Sequence, residues 1–193
     1  MASQIILASA SPRRSRLMSD AGIPFGAEEA HVSEDIPDGT DPRTACMYNA
    51  LRKAQYVSEE HPHAFVIGAD TIVYDGKILG KPADEEDAFK TLRELKNRTH
   101  SVYTGVCVIR ADEMVTRFFC ERTDVVFGDY SDEEIKEYIS TGEPMDKAGS
   151  YAVQGQWSAH VERLDGDRDN VIGLPVKRLS EELASLGADL NAQ

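Results

Sequence analysis

The chain opens on an unbroken apolar run, Ile5-Ile6-Leu7-Ala8, which reads as a buried strand over about Gln4 to Ala8. Ser11 then stands as a helix cap with Pro12 at the first helical position, and Gly22 is placed to end that helix. Asp41-Pro42 repeats the cap-plus-proline signal and predicts a second helix to about Val57, with Asn49 and Lys53 on one face. Phe65 to Tyr74 reads as a central strand, and Asp75-Gly76 turns it into Lys77-Ile78-Leu79 as a hairpin. Asp84 caps a third helix whose apolar positions are Ala88, Leu92 and Leu95. His100 to Arg110 and Met114 to Phe127 follow as two long strands, antiparallel to each other.

Ser131-Asp132-Glu133-Glu134 has capping-box spacing and opens a helix carrying Ile135, Tyr138 and Ile139. Thr141 to Gly149 reads as loop, Tyr151 to Gln154 and Ala159 to Leu164 as strands, and a last helix runs from near Pro175 to near Gly187. Strands that first alternate with helices and then follow one another indicate an α/β protein on a mixed sheet. With 193 residues, 41% hydrophobic and 28% charged, the chain is long enough and apolar enough to bury a core, and residues 1–193 are expected to form one domain.

Charge narrows the partners. A formal net charge of -13 repels phosphate backbones and acidic membranes, so neither nucleic acid nor a membrane is expected as a partner. A small anion would need a local basic patch. The three cysteines, Cys46, Cys107 and Cys120, have no metal-knuckle or redox-motif spacing and read as structural thiols in a reducing compartment. The run Ile5 to Ala8 is too short for a signal-peptide core or a span, which makes cytoplasmic localisation the expectation.

The basic patch is found where the first strand hands over to the first helix. Ser9, Ser11, Arg13 and Arg14 there can converge with backbone N–H groups on one anion; the alternative is a capped helix with two solvated arginines. Asp70 interrupts an apolar strand, and burying an unpaired carboxylate is costly, so it is either a site residue or an aspartate that faces water or is held by an arginine. Lys53 and Lys81 can be surface charges or members of the patch. Asp146-Lys147-Ala148-Gly149 and Gln154-Gly155 set polar groups beside glycines that permit close approach of a ligand. The five histidines lack zinc-site spacing. Asp165, Asp167 and Asp169 alternate as in a calcium loop, but Asn170 and Val176 stand where its glycine and glutamate belong. A Walker phosphate loop, a dinucleotide fingerprint and a nucleophile elbow are absent.

Taken in order, Leu7-Ala8-Ser9-Ala10-Ser11-Pro12-Arg13-Arg14, Gly68-Ala69-Asp70-Thr71, Gly80-Lys81-Pro82, Thr104-Gly105-Val106, Glu143 to Gly149, Gln154-Gly155 and Gly173-Leu174-Pro175 resemble the Maf family over nearly the whole chain. That resemblance implies a Maf/ITPase-like fold, a twisted mixed β-sheet with flanking helices and two lobes around a central cleft. It also implies a homodimer and a metal-dependent nucleoside triphosphate pyrophosphatase using Mg²⁺ or Mn²⁺. Asp70 matches the family's catalytic base; Ser9, Arg13, Arg14, Glu34, Lys53 and Lys81 match other polar cleft positions, with Glu34 and Asp70 as the expected metal ligands. Asp35 can share the metal role, and Arg52 can compete for phosphate.

Within the family, the dTTP/UTP type is similar at Arg13, Thr71 and Gln154. The 7-methyl-GTP type differs at Thr71, Lys147 and Gln154. The implied substrates are therefore dTTP and UTP, bound through Ser9, Ser11, Arg13, Arg14, Lys53, Thr71, Lys81, Asp146, Lys147 and Gln154. The competing readings are a 7-methyl-GTP pyrophosphatase and a non-catalytic, nucleotide-binding regulator of septum formation.

Overall fold

The computed structural model of the chain describes residues 4–37 and 39–190. Seven strands form one sheet: β1 (Ile5–Ala8), β2 (Gly26–Glu28), β3 (Phe65–Tyr74), β4 (Ile78–Leu79), β5 (Thr99–Arg110), β6 (Val115–Phe127) and β7 (Val161–Asp165). Their order is β2-β1-β3-β5-β6-β7, with β4 also on β3. β1 runs parallel to β2 and β3, and every other pairing is antiparallel. The mixed sheet with flanking helices is the α/β class expected.

Alternation along β3 sorts the molecule into two layers. Phe65, Ile67, Ala69 and Val73 point into the larger core, shared with Ile5 and Leu7 of β1 and Val102, Val106 and Val108 of β5. That core also takes in α1 (Pro12–Asp20), α3 (Glu85–Leu95), α4 (Asp132–Ser140) and α6 (Val176–Ser185) through Met18, Leu92, Ile135 and Leu179. The opposite face, with Ile6, Ala8, Val66, Cys107 and Ile109, is covered by α2 (Pro42–Ser58) through Ala50, Ala54 and Val57.

α2 starts where Asp41 accepts a hydrogen bond from the Thr44 amide, with Pro42 in the first turn. Its buried stripe is unusual for a helix on a sheet, because Asn49 and Lys53 lie in it among alanines. Small residues let the backbones approach. A Cβ added at Gly68 would meet the Ala50 carbonyl oxygen at 2.1 Å, and one at Gly105 would meet the Cys46 carbonyl carbon at 2.6 Å. α2 therefore lies on β3 and β5 at backbone contact distance, and its side-chain positions are set by the sheet.

The open edge of β3 positions the site. β1 pairs with β3 only at Ile5↔Phe65 to Leu7↔Ile67, and β4 joins at Val73↔Leu79, so the β3 edge from Gly68 to Ile72 has no strand beside it. Asp70 and Thr71 lie in that gap and point to opposite faces of the sheet.

Several expectations are corrected. Tyr151 to Gln154 is not a strand: Gly155 N–H bonds back to the Ala152 carbonyl, and the segment turns into a 3₁₀ helix over Gln156–His160 before β7 begins at Val161. Ser11 occupies the cap position of α1 without a side-chain cap bond. Thr141 to Gly149 contains two short 3₁₀ turns rather than plain loop. Two elements carried too little pattern to be read: β2 is a three-residue Gly-Ala-Glu edge strand, and α5 (Arg168–Ile172) is a single turn capped by Asp167. The capping box at Ser131 and Glu134 is present in both halves.

Candidate active site

A cleft of about 380 Å³ opens where β1 ends beside the free edge of β3. Its polar wall holds Ser9, Ser11, Arg13, Arg14, Glu34, Lys53, Asp70, Thr71, Lys81, Asp146, Lys147 and Gln154, so the residues expected to bind substrate or metal come together apart from Asp35 and Arg52. Its other wall is apolar, with Val73, Val102, Tyr151 and Ile172 among its residues.

Asp70 is 7% exposed and faces α2, as the alternation of β3 requires. Lys53 Nζ donates to Asp70 Oδ1 at 2.7 Å and to the Ala69 carbonyl at 3.3 Å, and it pairs with Glu34 Oε1 at 2.7 Å. One ammonium thus joins two carboxylates and satisfies a carbonyl on the unpaired edge of β3. Asn49 Nδ2 takes the other Asp70 oxygen, Oδ2, at 3.1 Å. Asp70 is therefore held by a lysine and an amide rather than by an arginine or water. Burial raises the Glu34 pKa, yet the Lys53 hydrogen bond and the charges of Lys53, Arg14 and Lys81 outweigh it and hold the carboxyl below its ordinary value.

On the other face, Arg14 is buried beneath the cleft. Its Nε donates to the Gly173 carbonyl at 2.8 Å, one terminal nitrogen to Ser9 Oγ at 3.3 Å and the other to Thr71 Oγ1 at 3.2 Å. Burial lowers its pKa, against the opposing fields of Asp70 and Glu34. All three acceptors are neutral, so this buried cation is oriented without being neutralised by a partner of its own. Thr71 shares a 3.0 Å hydrogen bond with Thr104 Oγ1, and Thr104 donates to the Asn170 carbonyl at 2.8 Å. Because Thr104 spends its one hydrogen on that carbonyl, Thr71 is the donor in the bond between them; its oxygen accepts from Arg14 and lies 3.5 Å from the Gly173 carbonyl.

Arg13 lies 3.9 Å from Asp146, which also pairs with Lys147. Burial pushes the Asp146 pKa up, and Lys147 and Arg13 more than reverse this. The loop is tied to the turn bearing Lys81 by Gly149 N–H to the Gly80 carbonyl at 3.0 Å. Lys81 and Gln154 are exposed at the cleft's rim.

Asp35 and Arg52 are not part of the cleft wall. Arg52 donates to the Ser33 carbonyl at 2.6 Å and lies over the Tyr48 ring, which steadies the Glu34 segment from outside. Asn49, Thr104 and the Gly173 carbonyl were not singled out from the sequence as site residues. Asn49 had a signal, four residues before Lys53 on the same helix face; the relay through Thr104 depends on cross-strand register and had none.

The residues suit a hard divalent cation. Glu34 and Asp70 each lie 2.7 Å from Lys53 Nζ, and their remaining oxygens are hard donors of the kind a divalent cation takes. Among the described residues no cluster of three or more His, Cys, Asp or Glu forms a self-sufficient metal site.

Such a cleft, with basic groups converging beside a buried carboxylate, is that of a protein handling a phosphorylated small molecule. The chain belongs to the Maf family: the family profile described as Maf-like protein matches residues 4–186. It is 46% identical over 188 residues to a dTTP/UTP pyrophosphatase of Bacillus mycoides (strain KBAB4), covering 97% of each chain. It is 45% identical over 185 residues to a dTTP/UTP pyrophosphatase of Geobacillus sp. (strain WCH70), covering 95% of this chain and 98% of the relative.

Proposed function

We propose that the protein hydrolyses a pyrimidine nucleoside triphosphate, dTTP or UTP, to the monophosphate and pyrophosphate, by attack of water at the α-phosphorus. The observation that carries this reading is Arg14, a buried guanidinium oriented by three neutral acceptors on the cleft face opposite the Asp70–Lys53–Glu34 group. The relatives' names support the same substrate class.

Arg14, Arg13 and Lys81 hold the phosphates, with Ser9, Ser11 and Lys147 beside them; Asp146 positions Arg13 and Lys147. Phosphoryl transfer asks for this kind of positioning and charge neutralisation, so no protein nucleophile is required. Asp70 accepts the proton of the attacking water. Its carboxylate still has acceptor capacity after the single bonds from Lys53 and Asn49, and those bonds fix its orientation. Mg²⁺ or Mn²⁺ held by Glu34 and Asp70 supplies Lewis-acid polarisation of the α-phosphate when bound. Thr71 lies against Arg14 and serves that arginine first, while Gln154 donates and accepts toward the pyrimidine edge.

Action as one domain over residues 1–193, as a homodimer and in the cytoplasm belongs to the same proposal; sedimentation velocity tests the dimer. Among the described residues, no helix is long and apolar enough to cross a membrane. The function is tested by pyrophosphate release from dTTP, UTP, CTP, GTP and 7-methyl-GTP with Mg²⁺ or Mn²⁺. Selective release from dTTP and UTP is expected. Release from 7-methyl-GTP alone overturns the specificity, and absence of release from every substrate leaves a nucleotide-binding regulator.

A further inference from the structure

The face of the sheet under α2 holds a second chemical feature that the cleft does not use. Cys120 of β6 stands directly opposite Gly105 of β5 in the antiparallel register, so its side chain projects on the face where Gly105 has none. The space left by Gly105 is filled by the backbone of α2 at Cys46 and Met47, both within 2.7 Å of an ideal Gly105 Cβ. The two constraints bring the cysteines together. Cys46 Sγ lies 3.7 Å from Cys120 Sγ, although 74 positions separate them in sequence. Ala45 and Ile72 complete a small cluster around them, and Ile36, two residues past Glu34, packs against it.

The pair is chemically unequal. Cys46 is fully buried, and its one hydrogen is shared between the Arg43 carbonyl, 3.2 Å from its Sγ, and the Cys120 sulfur; Cys120 is 8% exposed. The hydrogen bond to Cys120 raises the Cys46 pKa, and burial adds to this. The hydrogen bond from Cys46 lowers that of Cys120, with burial opposing and Arg43 assisting. Thiolate character and access both favour the same sulfur, Cys120, as the one that reacts first. Cys107 lies elsewhere on the face, with its thiol pushed up to about 12 by burial.

We infer that Cys46 and Cys120 form a site of reversible covalent modification, a dithiol that a hydroperoxide closes into a cross-link between α2 and β6. With a hydroperoxide, the Cys120 thiolate attacks one peroxide oxygen. The S–O bond forms as the O–O bond breaks, and the departing hydroxide or alkoxide takes up a proton. Cys46 sulfur then attacks the sulfenic sulfur, forming S–S and releasing hydroxide, which leaves as water with the Cys46 proton. The sulfurs close from 3.7 Å to about 2.05 Å. Gly105 blocks any approach of the α2 backbone to the sheet, so the closure is made by side-chain rotation and a sideways shift of the first turns of α2. Asn49 and Lys53 follow one and two turns later, so the cross-link anchors the helix that holds Asp70. Tethering positions so distant in sequence also restricts the unfolded chain and stabilises the folded one.

The test treats the native protein with hydrogen peroxide and follows intact mass, thiol content and thermal unfolding. Expected are a loss of about 2 Da without chain dimerisation, linkage of tryptic peptides Thr44–Arg52 and Phe118–Arg122, and a Tm raised by roughly 5–10 °C, all reversed by dithiothreitol. Cys107→Ser should behave as the native protein, and Cys46→Ser or Cys120→Ser should lose the mass change. Three thiols left intact, a gain of oxygen atoms on Cys120 as sulfinic acid, disulfide-linked chains or an unchanged Tm overturns the inference. None of these readouts depends on which nucleotide the cleft accepts.

Discussion

Replacing Gly68 by alanine tests whether the sheet sets the catalytic geometry through α2. The added Cβ would lie 2.1 Å from the Ala50 carbonyl oxygen and 2.7 Å from the Ala54 amide nitrogen, whereas real Cβ atoms essentially never come within 3.0 Å of a heavy atom. Both obstacles are backbone, so no side-chain rotation relieves them, and α2 must retreat by about 1 Å. Overpacking of this kind costs roughly 1–3 kcal/mol. Lys53 is carried on the same turns, so the retreat lengthens its 2.7 Å bonds to Asp70 and Glu34 and turns the Asp70 carboxylate. Misplacement of a reacting group by 1 Å can cost about 10²-fold in rate. The assay pairs urea unfolding with pyrophosphate release from dTTP. Gly80→Ala is the control, since nothing lies within 4 Å of a Cβ there. A Gly68→Ala protein with an unchanged urea midpoint and turnover within twofold of the native enzyme would show that contact with β3 does not set the position of α2 and Lys53.

Other expectations follow from single groups. Burial pushes the His100 imidazole from 6.5 down to about 4, only partly opposed by Asp124, so the unfolded chain takes up this proton first on acidification. Its contribution to stability is intact above pH 6.5 and is lost toward pH 4, by about 3 kcal/mol; urea unfolding of His100→Gln should show a flatter decline across that window. Thr104→Val keeps the shape but leaves the Asn170 carbonyl and Thr71 hydroxyl without their partner; turnover should fall about tenfold through Arg14, measured as kcat/KM for dTTP. Gln154→Glu removes the amide donor at the cleft rim, and the ratio of kcat/KM for UTP over GTP should fall by about tenfold or more, an unchanged ranking counting against the base-recognition role.

Much of this arrangement was legible in the chain because its signals are local. Cap-plus-proline pairs at Ser11-Pro12 and Asp41-Pro42 located α1 and α2, and a lone aspartate in an apolar strand marked Asp70. Glu34 entered only through the family resemblance, and Lys53 and Lys81 could equally be surface charges until the resemblance placed them in the cleft. What stayed hidden depends on pairing over distance. The relay from Arg14 through Thr71 and Thr104 to Asn170 needs the β3–β5 register and the turn at α5, and the meeting of Cys46 with Cys120 needs Gly105 between them. The short apolar run Tyr151-Ala152-Val153 is not a strand; Tyr151 and Val153 bury against the core from an irregular turn, which a run this short does not distinguish from a strand.

In the proposed reaction Asp70 activates the water that attacks the α-phosphorus. This step is tested most directly by hydrolysing dTTP in oxygen-18 water with the native protein and with Asp70→Asn, and locating the label by mass spectrometry. Label is expected in the monophosphate and not in pyrophosphate, with turnover lost by about two to four decades in the variant. Label in pyrophosphate, or native-like turnover by Asp70→Asn, would contradict it.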